Sequence, residues 1–180
     1  MAFFRLFGRK QWERPGFALY TAAVRAARDP YFYRELQVPD TMDGRFDMVG
    51  LFVFLVIDRL HKQQAPGPEL AQAVFDAMFL DMDHTLRELG VSDISVGRRV
   101  KAMWEALNGR SRAYAAPLAA GDQAGLAAAL ARNVWRGAVS GRAAEALAEI
   151  AMGQHRHLAD QGLPELLAGR VEFLPVPVTL

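Results

Sequence analysis

Hydrophobic residues recur along this chain at helical spacing, and no strand-type alternation persists beyond a few residues. Gly16 to Arg28 is Ala-rich and is closed by Asp29-Pro30, a helix stop. Tyr31, Phe32 and Tyr33 open a short segment leading to Val38-Pro39-Asp40-Thr41, where Asp40 or Thr41 is placed to cap the next helix. Helices are then expected over 43–64, 68–89, 95–108, 110–120, 122–136 and 140–160, with a short one at 163–168. The breaks fall at Pro66-Gly67-Pro68, Gly90, Asn108-Gly109, Gly121, Gly137 and Gly162. Proline at 175 and 177 keeps the tail from Phe173 out of a helix, so it is expected to run extended over the surface. The pattern predicts an all-α fold, a single-domain bundle of about six to eight helices. Residues 1–15 form an N-terminal segment, 16–170 the body and 171–180 the tail.

Two helices carry the most information. In 43–64, Phe46, Val49, Phe52, Val53, Val56, Ile57 and Leu60 share an arc of core type. The opposite arc holds Asp47, Asp58, Arg59 and Lys62 but also Leu51, Phe54 and Leu55. A helix apolar nearly all round is either central in its bundle or apolar toward a partner. In the second case Leu51, Phe54 and Leu55 would floor a groove with an acidic rim. In 68–89, Leu70, Val74, Phe75, Met78, Phe79, Met82, Leu86 and Leu89 form one broad arc. Asp81 falls at its edge, where a carboxylate needs a partner such as an arginine of a neighbouring helix or a cation of a bound protein. The methionines, among them Met78, Met82 and Met103, suit an adaptable surface and an ordinary core equally.

Charge is uneven along the chain. Residues 1–28 carry six basic and one acidic side chain, 29–93 five and twelve, and 94–180 ten and seven, for a net charge of +1. That overall balance argues against general or sequence-specific nucleic-acid binding. A basic head followed by an acidic middle points to separate contact surfaces. No cysteine is present, which excludes disulfides, thiolate metal sites and a cysteine nucleophile.

The uncharged run from Met48 to Ile57 is too short to cross a hydrocarbon core, which needs about 20 residues. The opening MAFFRLFGRK has neither the apolar core nor the cleavage site of a secretory signal, and it is short for a mitochondrial presequence. The chain is therefore expected to stay in the compartment where it is made. At 100° per residue Phe3, Phe4, Leu6 and Phe7 share one side of that segment, while Arg5 and Arg9 take the other. Such a segment suits a headgroup layer, as a peripheral membrane contact.

Catalytic patterns are weak. Asp76, Asp81 and Asp83 invite comparison with the magnesium-holding aspartates of isoprenoid synthases, but Asp76 and Asp83 share a face that Asp81 does not, and no second cluster faces them. His155 and His157 stand two apart on a helix and diverge, and His61 and His84 stand alone. Phosphate-loop, nucleophile-elbow and zinc-protease motifs are absent. The sequence predicts neither an enzyme nor a resident cofactor or metal.

Several unusual strings occur in fixed order: a Tyr/Arg helix ending before Pro30, PDT-x-DGRF over Pro39 to Phe46, FxDMDxxLRExGVxD over Phe79 to Asp93, and NGRxxAY over Asn108 to Tyr114. Together they resemble the ubiquinol–cytochrome c chaperone family across residues 16–120; after Gly121 the likeness rests mainly on helical character. The resemblance implies an assembly factor. Mitochondrial members bind newly made cytochrome b and support assembly of the cytochrome bc1 complex, acting at the matrix face of the inner membrane with a small partner protein near the ribosome exit. The lack of a presequence and of a long N-terminal extension suggests a bacterial member working on the cytoplasmic face of the inner membrane.

On that reading client contact is expected at Leu51, Phe54, Leu55, Asp58, Asp76, Asp81 and Asp83, with Phe3, Phe4, Arg5, Phe7 and Arg9 at the membrane surface. An all-α protein binding a lipid or isoprenoid, with a residual magnesium-binding aspartate cluster, is the alternative. Other residues of the motifs also fit architecture. Asp40, Thr41, Asp43, Gly44 and Arg45 suit the tight start of helix 43–64, and Arg110 and Tyr114 suit a lock of a 95–120 hairpin against the 20–33 segment.

Overall fold

The computed structural model describes residues 3–138 and 141–176, with side chains from Lys10 onward. Its first helix, α1 (Phe3–Ala27), begins well before Gly16 and runs through Pro15. Gly16 opens no helix; it lets two helices meet. A Cβ there would stand 2.7 Å from the carbonyl carbon of Ala73 on α4 (Gly67–Glu88). Leu19, Tyr20, Ala23 and Ala27 continue this inward face.

The Asp29 carboxylate accepts from the Tyr31 amide at 2.9 Å and starts the short α2 (Pro30–Arg34), which buries Phe32. Helix α3 (Met42–His61) is capped by Thr41, whose Oγ1 accepts from the Gly44 amide at 3.2 Å. Arg45 reaches back to Asp40 at 2.6 Å. These contacts make the tight helix start expected of the PDT-x-DGRF string.

Of the two readings of α3, the central one describes the fold. Helices α1, α4, α5 (Asp93–Ala120), α6 (Gln123–Val134) and α7 (Gly141–Asp160) all pack against it. Leu51 is 1% exposed and Leu55 0%, so they close against neighbouring helices and do not floor an open groove. Leu51 and Leu55 are covered by these neighbouring helices.

Helix α5 corrects the expectation of two helices meeting at Asn108-Gly109. It is continuous, because Leu107, Tyr114 and Leu118 bury one unbroken face across the glycine. A mid-helix glycine costs only about 1 kcal/mol against alanine, which such a face outweighs. No hairpin is therefore present for Arg110 and Tyr114 to lock.

Asp122 caps α6 by accepting from the Gly125 amide at 2.9 Å. The buried Trp135 indole then donates to the carbonyls of Leu36 and Gln37, each at 3.1 Å, tying the end of α6 to the loop before α3. After α8 (Leu163–Leu167) the described residues 170–176 are non-helical, as expected, and they are tied to α7 and the turn after it. Gln154 donates to the Leu174 carbonyl and accepts from its amide, both at 2.8 Å, and Phe173 meets Phe52 edge-on. Among the described residues there is no strand.

Candidate functional site

Helices α3, α4 and α5 leave an open groove of about 600 Å³ between them. Phe54, Ile57 and Leu107 form its floor, with Ala71, Gln72 and Phe75 on the α4 wall. The α5 wall carries Trp104, Asn108, Ser111 and Arg112 at one-turn spacing, which the continuity of that helix makes possible. Trp104 is 45% exposed, a large apolar surface left open beside the floor. Beneath it Phe54 meets Tyr114 edge-on at 6.0 Å, and the Phe75 ring leans on Phe79 at 4.7 Å.

One end of the groove is polar. Asp58 Oδ2 accepts from Lys62 Nζ at 2.6 Å and lies 3.1 Å from His155 Nε2 of α7. The neighbouring Arg59 donates to the carbonyls of Leu158 and Gln161, both at 2.8 Å, and so holds the C-terminal end of α7 against α3. Asp76 accepts from Gln72 of the groove wall at 2.7 Å.

The seven residues expected at a partner surface thus separate. Phe54 and Asp58 line the groove, and Asp76 stands one turn from it. Leu51 and Leu55 lie in the core below. Asp81 turns toward α1, where the Tyr20 hydroxyl donates to it at 2.6 Å; its partner is a tyrosine and not an arginine. Asp83 accepts from Arg87, which also binds Asp93 at the start of α5 and holds the Asp83 carboxyl below its ordinary range. The side chains of Phe3, Phe4, Arg5, Phe7 and Arg9 lie outside the described residues.

Sequence reasoning missed Trp104, Phe75 and Arg112 as groove residues. For Trp104 and Arg112 the signal was a spacing, 104–108–112 on one face, hidden by the break read at Asn108-Gly109. It also set Asp47 on a polar arc, whereas Asp47 is 1% exposed. Arg110 Nη2 and Arg136 Nη1 meet its two oxygens at 2.7 and 2.8 Å, joining α3 to α5 and to the turn after α6. Arg110 also lies over the Phe46 ring. Burial pushes the Asp47 carboxyl up to about 6 against the pull of both arginines, and burial likewise raises the Tyr114 hydroxyl nearby.

Among the described residues no three His, Asp or Glu side chains converge as metal ligands, and no helix is long and apolar enough to cross a membrane. Asp76, Asp81 and Asp83 each face a different partner, so they form no cluster. An open groove of this size on an all-α bundle is wide enough to seat an apolar helix of another chain.

The ubiquinol-cytochrome C chaperone family model matches residues 34–173, so the chain belongs to that family. The match runs well past Gly121, where the motifs fade. The chain is 24% identical over 116 residues to the ubiquinol-cytochrome-c reductase complex assembly factor 1 of Xenopus laevis, covering 64% of this chain and 58% of that relative. It is also similar to the crystal structure of the Cbp3 homolog from Brucella abortus, with a TM-score of 0.83, 36% identity and 97% of each chain covered.

Proposed function

We propose that this chain is an assembly chaperone for the cytochrome bc1 complex that receives newly made cytochrome b in the α3–α4–α5 groove. The observation that carries the reading is the open aromatic groove on a member of this family. A membrane-protein client offers apolar helices bounded by loops rich in Lys and Arg. Phe54, Phe75 and Trp104 suit the helices, and the Asp58 carboxylate in the groove lining suits a basic flank. Leu51 and Leu55 support this floor from beneath and do not touch the client, and Asp81 and Asp83 serve the contacts between helices. The work is done at the cytoplasmic face of the membrane, with Phe3, Phe4, Arg5, Phe7 and Arg9 toward the lipid. The dispersal of the three aspartates removes the support for a magnesium-dependent isoprenoid-binding alternative.

Affinity capture from the source membranes, followed by mass spectrometry, tests the reading. Cytochrome b is expected with the wild type and strongly reduced with Trp104→Ala, checked for intact helicity by circular dichroism. The same capture reads out a small partner protein or ribosomal proteins. Absence of cytochrome b from the wild-type sample, with a lipid or isoprenoid bound instead, would sink the proposal.

A further inference from the structure

Helix α1 shows two unlike faces over residues 10–28. Gly16, Leu19, Tyr20, Ala23 and Ala27 pack inward against the bundle. On the outside, Lys10, Arg14, Phe17, Thr21, Arg25 and Arg28 recur every three or four residues and are all exposed. At 100° per residue they share one narrow stripe, about 27 Å long at a rise of 1.5 Å per residue. Phe17 is 52% exposed at its middle. The Thr21 hydroxyl is turned back onto the Phe17 carbonyl at 2.8 Å, which leaves its methyl outward in a neutral centre.

The four cations flank that centre in pairs. Among the described residues none of them forms an ion pair, in contrast to Arg45, Arg87, Arg110, Arg136 and Arg170 elsewhere. Glu13 is the one acidic residue between positions 10 and 28. A solvated helix face ordinarily mixes both signs, because opposite charges one turn apart stabilise it. Unpaired cations around an exposed aromatic ring fit a different neighbour, a planar layer of anionic headgroups with an apolar layer beneath.

We infer that the outward face of α1, from Lys10 to Arg28, is a docking surface for an anionic lipid bilayer, with the arginines against phosphate headgroups and Phe17 in the interfacial layer. The inference rests on the membrane-side placement proposed above and extends it from the N-terminal head to the body of the fold, but it needs no particular client in the groove. Because α1 packs on α3 and α4, which also build the groove, docking through this face fixes the groove's orientation to the membrane.

Flotation of the full chain with vesicles of phosphatidylcholine, with and without phosphatidylglycerol, tests it. Binding is expected only with the anionic lipid and to fall with rising salt. Arg14→Gln/Arg25→Gln removes two surface charges and is expected to weaken partitioning about 30-fold. Phe17→Ser is expected to weaken it at every salt concentration. Arg98→Gln/Arg99→Gln removes the same charge from exposed positions of α5 and is expected to change nothing; helicity of each variant is checked by circular dichroism. Equal losses from the α1 and α5 variants, or equal binding to neutral vesicles, overturn the inference. Tighter binding to an RNA homopolymer than to vesicles at the same salt reassigns the face to nucleic acid and overturns it too. Vesicle binding without cytochrome b capture leaves the inference standing and refutes the client reading, so the two fail separately.

Discussion

The Tyr20 hydroxyl of α1 donates to Asp81 of α4 at 2.6 Å, a tie between residues 61 positions apart. Burial, with the carboxylate beside it, raises the Tyr20 hydroxyl far above its ordinary range, so it stays a donor at every physiological pH. Asp81→Ala and Tyr20→Phe are each expected to cost about 1–3 kcal/mol in urea denaturation, and the double variant less than their sum. Unchanged stability in Asp81→Ala, together with weaker cytochrome b capture, would make Asp81 a client contact instead.

Asp47 gives the fold a pH dependence of defined sign. Its folded-state pKa of about 6 lies above the ordinary 3.8, so the folded chain takes up a proton that the unfolded chain does not. The resulting stabilisation is complete below about pH 4, declines as pH rises and is gone above about pH 6. Relative to Asp47→Asn, the wild type is expected to lose about 2 kcal/mol between pH 4 and pH 7 in chemical denaturation. A wild-type advantage that grows with pH would mean that Arg110 and Arg136 outweigh the burial.

Two glycines are expected to respond oppositely to alanine. At Gly44 a Cβ would stand 2.0 Å from the Pro39 carbonyl oxygen, so Gly44→Ala is expected to lower stability by about 2–3 kcal/mol. At Gly109, inside α5, nothing lies within 4 Å of the same atom, so Gly109→Ala is expected to gain about 1 kcal/mol. Thermal melts of the pair check both signs.

The groove and the core beneath it are separable by two truncations. Trp104→Ala removes a half-exposed ring and is expected to leave the melting temperature nearly unchanged while weakening cytochrome b capture about 30-fold. Leu55→Ala empties a position that is 0% exposed and is expected to cost about 2–5 kcal/mol of stability. Loss of capture in Leu55→Ala at a temperature where it remains folded would return that residue to the client surface.

Much of this architecture was legible in the sequence. The all-round apolarity of α3 demanded a central position or a partner, and Thr41 with Gly44 announced its start. That Asp81 needs a partner was equally readable; that the partner is Tyr20 was not, because it depends on how α1 crosses α4. The continuity of α5 was hidden because Asn108-Gly109 is a strong local turn signal, overridden by burial of Leu107, Tyr114 and Leu118. Asp47 fell on the polar arc for a related reason: Arg110 and Arg136 come from distant parts of the chain, and nothing near position 47 records them. The groove was half legible, Phe54 and Asp58 from their own helix but Trp104 and Arg112 only once α5 is one rod.

The grip of Arg59 on the end of α7 has a consequence for synthesis. Its acceptor at Leu158 lies 99 residues further along the chain, so the last covering of α3 leaves the ribosome long after α3 itself. At about 5–20 residues per second the apolar stretch from Met48 to Ile57 waits on the order of 5–20 s for its far neighbours. During that interval the nascent chain presents a sticky segment much like those of a membrane protein, and it completes its own shelter only once Leu158 has emerged.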